Sequence, residues 1–192
     1  MPEQARLHGA AAPERQESRR AGADRRGRMA VWLASALAAA GLSATIRWTP
    51  RPLLVWNSSA SSPPGLYLVS PAARLERGAM AVAWLPAGMR HLAAARRYLP
   101  VNVPLVKQVG AGEADWVCAA GDRKFINGRL AARRRDRDAA GRPMPWWEGC
   151  RGLGPGEAFL LSPLGSTSFD GRYAGVTGAR LVVGKARLIW AR

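Results

Sequence analysis

Two hydropathy patterns follow one another along the chain. Residues 29–46, MAVWLASALAAAGLSATI, form an unbroken uncharged stretch between Arg28 and Arg47. As a helix this stretch reaches about 27 Å at ~1.5 Å per residue, close to the ~30 Å hydrocarbon core of a bilayer. The flank before it, RRAGADRRGR, is strongly basic, which by the positive-inside rule leaves the N-terminus in the cytoplasm. Ala-x-Ala triplets run through Ala34–Ala40, so a cleaved signal segment is the alternative, and a buried core helix is a third. The first two agree that the chain from about residue 47 onward is exported. The expected organisation is a basic cytoplasmic tail over 1–28, disordered; an anchor or signal segment over 29–46; and an exported domain over 47–192.

Past residue 47 the apolar runs become short and are broken by Gly and Pro, which favours strands. Strands are expected at Leu66–Ser70, Ala79–Leu85, Leu105–Ala111, Trp116–Ala120, Ala158–Ser162 and Leu181–Trp190. Asn127-Gly128, between Lys124-Phe125-Ile126 and Arg129-Leu130-Ala131, is the strongest hairpin signal. One short helix is expected over His91–Tyr98, before Pro100, and residues 131–157 read as a long Arg-, Gly- and Pro-rich excursion. The fold class is mainly β: an antiparallel β domain behind one N-terminal transmembrane helix.

Composition narrows the function. The net charge of +16 suggests nucleic acid or an anionic surface at first sight. Yet the basic run Arg133-Arg134-Arg135-Asp136-Arg137 sits among Ala, Gly and Asp, as a solvated loop would. Single-strand binders interleave cations with stacking aromatics, and Tyr and Phe total only six here, so no specific nucleic-acid partner is expected. No zinc site is expected from the two His and two Cys, and no GxxxxGK[ST] loop occurs. Export alters the meaning of the cysteines. In an oxidising compartment Cys118 and Cys150 read as one disulfide, with two buried thiols as the alternative.

The candidate chemistry begins at WNSSASSPPGLYLVSP, residues 56–71, a stretch that composition alone would also allow as a Ser/Pro linker. The second piece is Leu105-Val106-Lys107-Gln108-Val109. In a strand, Leu105, Lys107 and Val109 share one face. A lysine between apolar neighbours is costly to bury unless neutral or partnered, and burial lowers its pKa toward that of a general base. An edge strand with Lys107 in water is the other possibility. The cation usage bears on the choice: all but Lys107, Lys124 and Lys185 of the 29 cations are Arg, which does not give up its proton.

These residues resemble a known family. Asn57-x-Ser59-x-Ser61-x-Pro63-x-Gly65-x-Tyr67 is similar to the Asn-x-Thr/Ser-x-Ser-x-Pro-x-Gly-x-Tyr box of the TraF-type conjugative transfer signal peptidases, relatives of type I signal peptidases that use a Ser–Lys dyad. The Lys107 segment resembles their Lys-Arg-Val box. Asn127-Gly128, Gly141-Arg142-Pro143-Met144-Pro145 and Gly149-Cys150-Arg151 also match. Ser168-Phe169-Asp170-Gly171-Arg172-Tyr173 is similar to their Ser-Phe-Asp-Ser-Arg-Tyr box. The resemblance covers roughly residues 28–192. Two positions depart from it: Gly112-Glu113-Ala114-Asp115 replaces a Pro-Gly-Asp turn, and Gly171 stands where Ser is usual.

The resemblance implies a signal-peptidase-like β domain with Ser61 as nucleophile and Lys107 as general base. It implies an oxyanion-hole hydroxyl at Ser59, a Ser168 hydroxyl that aims the Lys107 amine, a structural pair Asp170–Arg172, and no cofactor or metal. The implied substrate is an exported, pilin-like precursor cut after small residues, by an enzyme held in the inner membrane with its domain in the periplasm and with conjugation or secretion machinery as company. Two other readings stand beside it. A LexA-like self-cleaving regulator shares the Ser–Lys logic but should carry a DNA-binding helical domain in place of the tail and apolar segment. A disulfide-bonded, non-enzymatic scaffold of a secretion complex is the third.

Overall fold

A computed structural model of the chain describes residues 13–47, 52–72, 74–165 and 167–192, with side chains from residue 27 onward except those of 45–47. The chain divides into two units, residues 1–50 and 51–192. The first contains helix α1, Pro13–Arg47. Its window Gly27–Ala44 has a mean hydropathy of 1.2 and is long and apolar enough to cross a membrane. The helix extends well before the apolar stretch, into the segment expected to be a disordered tail. Pro13 suits a first helical position, where no amide hydrogen is needed, and the following Glu, Arg, Gln and Ala propagate a helix once begun. Residues 1–12 lie outside the described residues.

The second unit is built of antiparallel strands, as the sequence pattern predicts. They are β1 Leu54–Asn57, β2 Gly65–Ser70, β3 Met80–Ala83, β4 Leu105–Ala111, β5 Trp116–Ala120, β6 Arg123–Ile126, β7 Arg129–Arg133, β8 Gly149–Gly152, β9 Phe159–Leu161 and β10 Val182–Ala191. Six form one sheet in the order β1-β2-β10-β3-β4-β9, and four form another in the order β7-β6-β5-β8. The first sheet is covered on both faces near its middle. Tyr67, Val69, Val82, Val106 and Val183 make one core cluster; Leu75, Ala81, Ala83, Val109 and Leu160 make a second. A third, around Val117, Leu153 and Phe159, carries the smaller sheet.

The Asn127-Gly128 turn joins β6 to β7 with φ of 48° and 77°, the left-handed values a tight hairpin needs. Cys118 lies opposite Cys150 in the β5–β8 register, and the two are bonded with Cα atoms 4.0 Å apart. The stretch expected as a long excursion therefore contains a strand, β8. Its sequence, Gly-Cys-Arg-Gly, has no alternation to reveal it.

Strand β1 has no counterpart among the expected strands, because Leu53-Leu54-Val55-Trp56 is apolar throughout. Its alternation appears only in burial, with Val55 and Asn57 inward and Leu54 and Trp56 outward. The helix expected over His91–Tyr98 is instead α2, Ala87–Ala95. It starts after Pro86, earlier than the apolar pattern suggests. It ends where Arg97 turns left-handed at φ 60°, with Arg97 N–H donating to the Ala94 carbonyl at 3.0 Å and Tyr98 N–H to the Ala93 carbonyl at 2.8 Å. This closure turns the chain out of the helix at Tyr98.

Candidate active site

The loop between β1 and β2 is held from inside by Asn57, only 8% exposed. Its side-chain amide donates to the carbonyls of Ser59 and Ser62, both at 3.1 Å, and Pro63 at 3.2 Å, while its Oδ1 accepts from Ser59 N–H at 3.2 Å. Tyr67 Oη donates to the Pro63 carbonyl at 2.7 Å, and the buried Ser62 hydroxyl donates to the Val106 carbonyl at 2.7 Å. The box residues Asn57, Pro63 and Tyr67 thus serve one purpose: they fix a turn. With Ser62 tied to β4, that turn presents Ser61 to Lys107.

Strand β4 lies between β3 and β9, so it is no edge strand. Lys107 is 3% exposed and shares its face with the buried Val109 and Ala111. Its Nζ donates to Ser61 Oγ. Ser59 Oγ lies 2.8 Å from Ser61 Oγ on an exposed side. Burial pulls the Lys107 pKa from 10.5 down to about 8, helped by the Arg172 charge and opposed by Asp170. A lysine amine with a lowered pKa is neutral in a larger fraction near neutral pH than a free one, as a proton acceptor must be.

Asp170 caps the one-turn helix α3, Gly171–Ala174, accepting from Arg172 N–H at 3.1 Å. It pairs with Arg172 Nη1 at 2.9 Å and accepts from Ser162 N–H at 2.8 Å. Burial pushes the Asp170 carboxyl upward, against the Arg172 charge and these amide donors. At Gly171 an added Cβ would stand 2.7 Å from the Leu160 carbonyl and 2.7 Å from the Phe159 ring. The departure from Ser at this position therefore matches the close approach of α3 to β9. The other departure, at 112–115, still closes a turn: Asp115 N–H donates to the Gly112 carbonyl at 3.0 Å, and Gly112 N–H donates back to its carboxylate at 2.9 Å.

Ser59, Ser61, Lys107 and Ser168 line one cleft of about 440 Å³, with apolar walls that include Leu105, Met144 and Phe169. Among the described residues no hydrogen bond joins the Ser168 hydroxyl to Lys107; the Ser168 carbonyl accepts from Arg172 Nη1 at 3.4 Å. Asp170 and Arg172 stand behind Lys107, and the Cys118–Cys150 bond belongs to the smaller sheet.

Three contributors escape sequence reasoning. Ser162 donates its hydroxyl to the Ser61 carbonyl and its own N–H to Asp170, linking the acid–arginine pair to the Ser61 loop. Ser62 ties that loop to β4. Asp138 forms part of the cleft wall, accepting from Tyr98 Oη and from Arg142 Nε. Only Ser62 carried a signal, as a serine of the 56–71 stretch; Asp138 follows the charged run 133–137 and Ser162 ends an apolar run, and neither position marks a site. Among the described residues, no group of three His, Cys, Asp or Glu side chains converges as a metal ion would need.

Comparison with known proteins agrees with this architecture. Residues 26–191 match the family described as signal peptidase, peptidase S26. The chain belongs to that family, and with it to the serine peptidases whose substrates are polypeptides. It is also 35% identical over 129 residues to the plasmid transfer protein TraF of Escherichia coli, an alignment covering 62% of this chain and 72% of that protein.

Proposed function

We propose that the protein is a membrane-anchored endopeptidase that cleaves an exported, pilin-like precursor after small residues, with Ser61 as nucleophile and Lys107 as general base. The observation that carries this reading is the buried Lys107 amine hydrogen-bonded to Ser61 Oγ with its pKa lowered to about 8. Neutral Lys107 accepts the Ser61 proton as Oγ attacks the scissile carbonyl. The ammonium then returns that proton to the leaving amine, and an acyl-enzyme remains. Water follows the same route: Lys107 takes its proton, hydroxide attacks the ester, and Ser61 is restored by proton return. Ser59 Oγ and the Ser61 N–H stabilise the oxyanion. Burial keeps Lys107 neutral against the pull of the Asp170 charge, which Arg172 partly offsets, and Ser168 shapes the wall beside it.

Helix α1 supports the anchor, and likeness to a plasmid transfer protein supports a conjugation setting with a periplasmic domain at the inner membrane. The test is cleavage of a candidate precursor by the full chain in detergent. Ser61→Ala and Lys107→Arg should each abolish turnover, because guanidinium keeps its proton at any pH the fold tolerates. The double variant should be little worse than either. Lys185→Arg, at an exposed position on β10, should behave as wild type. Substantial turnover by Lys107→Arg, with Ser61 still essential, would sink the assignment of the base.

A further inference from the structure

The same cleft has a second polar feature. Three cations line it: Lys107, Arg135 and Arg137. Lys107 is bonded to Ser61, and Arg137 Nη1 donates to the Gly141 carbonyl at 2.7 Å. Arg135 differs from both. Its main-chain N–H donates to Tyr173 Oη at 3.1 Å, and Tyr173 is only 2% exposed. Its backbone is therefore fixed to the α3 wall. Its guanidinium, among the described residues, has no hydrogen bond, ion pair or aromatic ring to engage it. The neighbouring arginines are engaged: Arg133 with Asp122 at 2.7 Å and Arg134 with Asp136 at 3.0 Å. Asp138, in the same cleft, already accepts from Tyr98, Arg142 and the N–H groups of Ala140 and Arg142.

We infer that Arg135 is a specificity-determining residue that binds a carboxylate of the substrate polypeptide near the scissile bond, an inference that rests on the peptidase reading above. A guanidinium is a planar, permanently charged fork that matches a carboxylate with two parallel hydrogen bonds. Arg135 is itself exposed, so such a pair is partly screened by solvent and sensitive to salt. The carboxylate has two possible sources, an acidic side chain flanking the cut or the terminal carboxylate of a short C-terminal piece.

The test measures binding to the full-length Ser61→Ala chain in detergent micelles. The probes are labelled Ala-rich peptides with one Glu placed in turn at each position flanking an Ala-x-Ala sequence, their Gln counterparts, and both sets with a free or an amidated C-terminus. Carboxylate-bearing peptides should bind about 2–5-fold more tightly, the range expected of an exposed ion pair, and salt should erode the preference. Arg135→Glu should invert it in favour of Lys-bearing peptides, while Arg187→Gln, on an exposed strand position outside the cleft, should keep it. A preference within the Glu/Gln pairs assigns the side chain; one within the acid/amide pairs assigns the chain end; either supports Arg135. Equal binding of all peptides, or a preference that survives Arg135→Glu, overturns it. Cleavage of the same peptides by the wild-type chain separates the two readings. Charge preference without cleavage counts against the Ser61–Lys107 endopeptidase reading and leaves Arg135 as a carboxylate site; cleavage without charge preference removes the Arg135 site alone.

Discussion

At the scale of single residues, the protein keeps a lysine where its charge is costly. Burial lowers the Lys107 pKa from 10.5 to about 8. The neutral amine is the working form of a general base, so turnover should rise with pH through an apparent pKa near 8 and level off above it, in a pH–rate profile on a fixed precursor. The linked effect on stability has the same sign. The unfolded chain binds the Lys107 proton more tightly, so this residue disfavours folding increasingly as pH falls from about 10.5 to about 8, and by a constant amount below. A profile governed by a group titrating near 6 would point to a different base. This residue was legible beforehand because a strand period placed it between apolar neighbours in a chain that writes nearly all its cations as Arg. Ser162 was not. Its hydroxyl reaches the Ser61 carbonyl across 101 residues of sequence, and nothing local to Phe159-Leu160-Leu161-Ser162 records that encounter.

At the scale of elements, strands with an alternating or well-bounded apolar pattern were readable: β4 and β5 lie at the expected bounds. Strands without alternation were not: β1 and β8 owe their conformation to the neighbours they pair with. The β5–β8 pairing has the Cys118–Cys150 bond across it, and every β8 residue is exposed, so apolar burial does little to hold that strand. Closing the intervening segment stabilises the fold by about 3–4 kcal/mol in the chain-entropy description. Cys118→Ser with Cys150→Ser should lower the free energy of unfolding by about that amount, read from denaturant curves of the oxidised wild type and the double variant. A difference within error would show that β8 is held by its backbone ladder alone.

At the scale of the whole molecule, the sequence indicated one apolar helix and a β-rich unit, and the order of the strands was hidden, because pairing between distant segments leaves no local trace. The basic residues Arg25, Arg26 and Arg28 before the uncharged stretch 29–46 predict that the unit from residue 51 lies outside the cytoplasm. A reporter fused after Arg192 should be active only as an exported enzyme; activity confined to a cytoplasmic reporter would reverse the topology. The strand order has a consequence for timing. Ser61 lies in the loop between β1 and β2, and Lys107 lies on β4 beside β3. The two pairs are joined through β10, which follows all four along the chain. Until β10 has emerged and inserted between β2 and β3, the two halves of the sheet have no ladder between them. On the proposed topology, a nascent chain still crossing the bilayer carries Ser61 and Lys107 on two unassembled halves, and they meet only when the last strand arrives.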